Sequence, residues 1–355
     1  MSHSRDVSPN RGTGVDACKA SPDAESVAVW QKNNGIDVSK QVKLLRLSHM
    51  RYQHKDMATI TTFMKDFGMN VVKKTEDKIW FGGYGEDPYI YIAETGPENR
   101  YLGGVFLVES LAELEKASQI PGAGSIEDDK DAPGGGKRLT IIDPEGFPVG
   151  LICNQSSIDQ EHRPKPEKLV YNFEDEKTRK NKFHRFTEGP AAIHKLGHFG
   201  LCVQNFEDQW QFYLRNFNLV PTDWLHVPDE KGGKKNVALF AHIDRGMDYV
   251  DHHAFFLSSN KTSHVHHCSF EVHDFDTQLL GHQWLAKKGY NSVWGVGRHI
   301  LGSQIFDYWW DTSKFMVEHY ADGDQINAET PIGYMAAGDE SLAVWGPEVP
   351  ATFLH

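Results

Sequence analysis

The chain has little that would hold it together or anchor it by means other than a folded core. Its 355 residues include only four cysteines, Cys18, Cys153, Cys202 and Cys268, with no CxxC pair. This excludes a disulfide scaffold and points to a reduced, cytoplasmic setting. No apolar run is long enough to span a bilayer, and the N-terminal stretch lacks the apolar centre of a secretory signal. Basic residues are the minority, 37 against 49 acidic, for a net charge of −12, and they form no stripe. Nucleic acid and membrane are therefore not expected partners. Histidine, by contrast, is abundant. There are nineteen, many of them between His242 and His299, and metal or proton chemistry is sought there.

The order of apolar runs repeats. Residues 1–40 open with a polar stretch, expected to be disordered or a short N-terminal arm. A first module, 41–155, runs from VKLLRLSHMRY through a helical MATITTFMKDFG, three short strands, a helical SLAELEKAS and a hairpin ending in FPVGLICN. A charged, proline-punctuated stretch, 156–190, reads as a surface linker. A second module, 191–325, repeats the order: KLGHFGLCV, helical FEDQWQFYLRNFN, the strands VALFAHI, HHAFFLS and HHCSFEV, helical FDTQLLGHQWLAKKG, and a hairpin of SQIFDYWW and FMVEHY around DTSK. Residues 326–355 form a C-terminal tail, expected to lie on the surface or over a cavity mouth. The duplication is anchored where DPEGFPVG (143–150) falls on DTSKFMVE (311–318).

Within that repeat, His198, His267 and Glu318 each sit in a strand-like segment. Side chains alternate along a strand, so each of the two histidines lies opposite an apolar layer and can face a common interior. Two imidazoles and one carboxylate, with positions left open, are the facial set of non-haem Fe(II) oxygenases. In the first module the corresponding residues are His49, Gly103 and Gly150, a site that has lost two of its three ligands. Nearby proton donors are His252, His253, His299 and Tyr308. The glycine-rich GVGRHILG lacks the lysine and the strand-to-helix setting of a phosphate loop.

The motifs HKLGHFGLCV, DHHAFFLS, HHCSFEV, GRH and DYWWDTSKFMVEHY together resemble those of the type I extradiol ring-cleaving dioxygenases of the vicinal oxygen chelate superfamily. The resemblance covers roughly residues 40–325. It implies an α+β fold of two tandem modules, each built from paired βαβββ units that form an incomplete barrel around a funnel. It implies that His198, His267 and Glu318 bind Fe(II), with Mn(II) as the alternative metal, and that His253 is the acid/base residue. His299 and Tyr308 would border the substrate. The expected partners are a small aromatic diol and O2, and the expected assembly is a homo-oligomer. The expected reaction opens a catechol ring beside its vicinal hydroxyls. The alternative is another metal-dependent enzyme of the superfamily, an isomerase, a lyase or an oxygenase acting on a non-catechol enol. The last motif departs from the family: Asp307 replaces an apolar residue before the tyrosine, and Asp311, Thr312, Ser313 and Lys314 replace a turn with Asp-Pro and a glycine.

Overall fold

Alternating apolar strands joined by short turns build two curled sheets in the computed structural model, which describes residues 23–156, 165–338 and 342–353. The first sheet has eight strands and the second has ten. In each, two long strands lie side by side at the centre. They are Leu44–His54 against Arg100–Val108 in the first sheet and Ile193–Val203 against His264–Val272 in the second. Each central strand opens a βαβββ unit, and the two units of a module meet along this antiparallel seam.

The helices form where the apolar spacing is helical, and some carry a side-chain cap. Met57–Asp66 buries Ile60, Phe63 and Met64, and the Asp56 carboxylate accepts from the amides of Ala58 and Thr59. Phe206–Asn216 buries Phe206, Trp210, Tyr213 and Leu214 on one face, with Glu207 and Asp208 in its first turn. Phe275–Lys287 begins at Asp274, whose side chain accepts from Thr277 N at 2.8 Å. Among the described residues, no helix is long and apolar enough to cross a membrane.

One core runs through both modules. The ligand-bearing strands turn one face to their own funnel and the other to the first module. Phe199 packs on Phe106, and Phe270 packs edge-on against Phe67. His319, on the opposite face from Glu318, stacks on Phe67 at 3.8 Å and donates from Nε2 to the Phe67 carbonyl. Asp66 accepts from Trp284 Nε1 and Tyr290 OH across the same boundary. The first module thus backs the strands that carry the candidate ligands.

Both terminal segments join this architecture. The helix Val27–Asn33 buries Trp30 against Trp210 and Trp224. Residues 1–22, with Cys18, lie outside the described residues. The segment beyond residue 326 extends the second sheet at both edges: Gly333–Ala336 pairs with Leu219–Pro228, and Ala343–Trp345 pairs with Asn291–His299.

The hairpin that departs from the family keeps its turn. In the first module Asp143 Oδ1 accepts from Glu145 N and Phe147 N, and Gly146 takes a φ of 88°. In the second, Asp311 Oδ1 accepts from Ser313 N and Phe315 N, and Lys314 takes a φ of 70°. A lysine accepts the left-handed conformation that glycine would adopt without cost. Asp307 turns away from the funnel, accepting from His282 Nδ1 at 2.9 Å and Trp309 Nε1 at 2.7 Å. Tyr308 is therefore left on the funnel side, paired in register with Glu318.

Candidate metal centre

His198 and His267 come from the two central strands, and Glu318 from the strand next to His267. Ser269 is the register partner of both His198 and Glu318, which places those two residues in one row across three strands. The three side chains converge. His198 Nε2 is 3.1 Å from His267 Nε2 and 3.2 Å from Glu318 Oε2, and His267 Nε2 is 3.6 Å from Glu318 Oε2. Neighbouring ligands of a first-row divalent ion held at ~2.1 Å are separated by about 3.0 Å, so the spacing fits a metal. So does the state of the carboxylate. Both Glu318 oxygens are buried and accept no hydrogen bond, which is costly for an anion unless a cation compensates it. These are the only residues that form such a cluster among those described.

The next shell sets the histidine tautomers. His266 Nε2 donates to the Phe353 carbonyl at 2.7 Å, and its Nδ1 lies 2.6 Å from His267 Nδ1. Burial holds the His266 pKa down to about 4, so the ring is neutral and its Nδ1 must accept. His267 therefore carries its proton on Nδ1 and turns the lone pair of Nε2 toward Glu318 and His198.

His253 lies over His198, with ring centroids 4.1 Å apart, and lines the cavity. His252 sits behind it, bonded through Nε2 to Asp223 and through Nδ1 to His253 Nδ1. It is a buried, paired residue. Burial first, then the neighbouring imidazoles, keep the His253 pKa well below its usual value. Across the cavity, His299 donates from Nδ1 to the Leu342 carbonyl at 2.8 Å. Its Nε2 thus accepts from Tyr308 OH at 3.0 Å. Burial, then the Glu318 carboxylate, push the Tyr308 phenol well above its usual range, so it stays protonated. These groups open on a cavity of about 230 Å³.

The first module shows the same frame without the ligands. His49 pairs with Val105, Arg51 with Gly103, and Val105 with Gly150; in the second, Gly200 pairs with His267, and Ser269 with Glu318. By register, Gly103 stands for His267 and Gly150 for Glu318. A side chain at either position would have to displace a neighbour. A Cβ at Gly103 would lie 2.7 Å from the Pro148 carbonyl oxygen, and one at Gly150 would lie 2.7 Å from a Val105 methyl. Only a void of about 20 Å³ remains beside His49.

The structure gathers the six residues expected from the sequence, His198, His253, His267, His299, Tyr308 and Glu318, in one place, together with His266, whose signal was the HH pair itself. Sequence reasoning missed Phe353 and the walls formed by Leu225, Ala238 and Leu301. Trp294 packs on Phe306 and Tyr308 as core, and Trp309 is buried. Arg298 donates to the Ser303 carbonyl and to Asp322, away from the cavity.

Two βαβββ pairs, with a His-His-Glu cluster in one funnel, define a chain with the vicinal oxygen chelate fold. Solved structures share it over nearly the whole chain. The Mn(II)-bound glyoxalase of Novosphingobium aromaticivorans matches with a TM-score of 0.70 at 18% identity, covering 87% of this chain and 94% of that one. Homoprotocatechuate 2,3-dioxygenase of Arthrobacter globiformis matches with a TM-score of 0.72 at 16% identity, covering 88% and 91%. The Brevibacterium fuscum homoprotocatechuate 2,3-dioxygenase, in complex with 3,4-dihydroxyphenylacetate, matches with a TM-score of 0.72 at 18% identity, covering 89% and 93%. In sequence the chain is similar to Metapyrocatechase 2 of Cupriavidus necator, 39% identical over 122 residues, which is 34% of this chain and 37% of that protein. No protein-family model matches the chain. The resemblance to extradiol dioxygenases read from the motifs is thus borne out, in sequence over a third of the chain and in fold over most of it.

Proposed function

We propose that this chain is an Fe(II)-dependent extradiol dioxygenase, which opens a catechol-type ring beside its vicinal hydroxyls and leaves both atoms of O2 in the product. The observation that carries the reading is the convergence of His198, His267 and Glu318 at a cavity that also presents His253 and the Tyr308–His299 pair. Those three ligands would hold the metal. Bound there, the metal would acidify the substrate hydroxyls and supply redox chemistry toward O2 at positions the three ligands leave free.

The remaining steps belong to the side chains. The Tyr308 oxygen can accept a proton from a substrate hydroxyl while the phenol passes its own to His299 Nε2, which is poised to receive it because the Leu342 carbonyl holds the Nδ1 proton. The resulting imidazolium would lie 3.9 Å from Glu318 Oε1, a favourable neighbour. His253, neutral and opposite this pair, can take the proton of the second substrate hydroxyl and return that same proton to the product side as the ring opens. The cytoplasmic setting belongs to the same reading, supported by the buried free thiols of Cys153, Cys202 and Cys268.

The glyoxalase likeness favours a second reading, a metal-dependent isomerase or lyase on the same frame. Oxygen decides between them. Protein reconstituted with Fe(II) without air, then given a catechol in aerated buffer, should consume O2 one-for-one with substrate and form a coloured ring-opened product. An isomerase or lyase would consume none.

A further inference from the structure

The cavity changes character with distance from the metal ligands, and the strand register shows how. Phe240, Phe256, Gly200 and His267 form one row across adjacent strands. The next inward-facing row is Leu225, Ala238 and Ser258, which pairs with Cys202. Cys202 is two residues beyond Gly200, the register partner of His267, and four beyond His198, so this row stands ~7 Å along the strand from the His267 row and ~13 Å from His198 at ~3.3 Å per residue. Both distances exceed one six-membered ring. A catechol seated at the ligands therefore leaves this upper chamber to whatever the ring carries.

Among the described residues, the side chains that line the chamber are mainly apolar. Leu225, Ala238, Phe256 and Leu301 form a cluster separate from the main core, with Phe240, Met335 and Ala337 packed on it. Among the described residues, no lysine, arginine, aspartate or glutamate lines the cavity. The polar groups are the histidines and Tyr308 at the metal end, the Ser258 and Ser259 hydroxyls, and Gln304. Arg298, next to His299 in sequence, is engaged by Asp322 and the Ser303 carbonyl. From this chamber we infer that the substrate is a catechol bearing an uncharged, apolar alkyl or aryl substituent, and that catechols with a carboxylate on that substituent are rejected. The inference rests on the dioxygenase reading for the catechol and on the chamber for the substituent.

A carboxylate placed here would lose its water and gain no charged partner, whereas each buried methylene adds about fourfold in binding. The test uses the Fe(II)-loaded protein with 4-propylcatechol, unsubstituted catechol and 3,4-dihydroxyphenylacetate as substrates. Tryptophan-fluorescence titrations with 4-propylphenol and 4-hydroxyphenylacetate run in parallel on protein without iron. The expected result is a kcat/KM for 4-propylcatechol on the order of 10²-fold above that for 3,4-dihydroxyphenylacetate, with the phenols ranked the same way. A preference under tenfold, or the reverse order, overturns the inference and leaves the dioxygenase reading standing. Failure of every catechol to consume O2 overturns the dioxygenase reading and, with it, the catechol half of the inference. The phenol titrations still judge the chamber in that case. A Leu301→Arg variant should narrow the gap by favouring the carboxylate. An unchanged gap in soluble, iron-loaded variant would count against the chamber as the place where the substituent lies.

Discussion

His266 holds His267 by a ring-to-ring hydrogen bond of 2.6 Å, Nδ1 to Nδ1, and is itself held by the Phe353 carbonyl. The C-terminal segment thereby reaches the metal end of the site through one imidazole. Replacing His266 by Phe leaves His267 Nδ1 without its acceptor and frees the ring to choose the wrong tautomer. Metal affinity should fall about 10- to 100-fold, read by metal titration against a chelator. An unchanged affinity would show that the bond does not orient the ligand.

His253 faces the cavity, and His252 faces Asp223. His253→Ala should keep its metal and lose turnover by roughly 10²–10⁴-fold, the scale of a lost acid/base. His252→Ala should lose much less. The comparison needs metal content and kcat for both variants; a larger loss at His252 would reverse the assignment.

The two adjacent histidines illustrate what the sequence discloses. Identity and parity are local, so His198, His267 and Glu318 could be read from strand alternation and from the repeat. Gly103 and Gly150 could be matched to His267 and Glu318 before any register was known. Which of His252 and His253 faces inward was not a local matter, because both precede the strand in a loop, and Asp223, which holds His252, is 29 residues away. The motif alone did not account for Asp307, because its partner, His282, sits on a helix 25 residues earlier. Leu225, Ala238 and Leu301 read as ordinary apolar residues, and only the curl of the sheet makes them a chamber.

Lys314 occupies a left-handed turn position at φ 70° with its side chain exposed. Lys314→Gly should relieve about 1 kcal/mol of strain and raise the unfolding midpoint without changing kcat. Equal or lower stability in urea titration would show that the turn carries no such cost.

Asp311 is buried at the same turn, and burial pushes its pKa up to about 7, against three backbone amides that pull it down. Its Oδ2 has no hydrogen-bond partner. The folded chain therefore keeps a proton that the unfolded chain releases near the ordinary value of 3.8. The stability contributed by that proton is full below pH 3.8 and is lost as pH rises through about 7, by ~4 kcal/mol at most. Asp311→Asn keeps the oxygen acceptor and removes the titration. Between pH 5 and pH 8 wild type should lose stability relative to this variant in urea unfolding. Parallel pH profiles would rule the effect out.

The central claim is one metal site per chain, made by His198, His267 and Glu318, with the first module's site closed. Iron bound after anaerobic loading measures it directly, in wild type and in the His198→Ala, His267→Ala, Glu318→Ala and His49→Ala variants. The account predicts one iron per chain in wild type and in His49→Ala, and little or none in the other three. Two irons per chain, or full iron in any of those three, would contradict it.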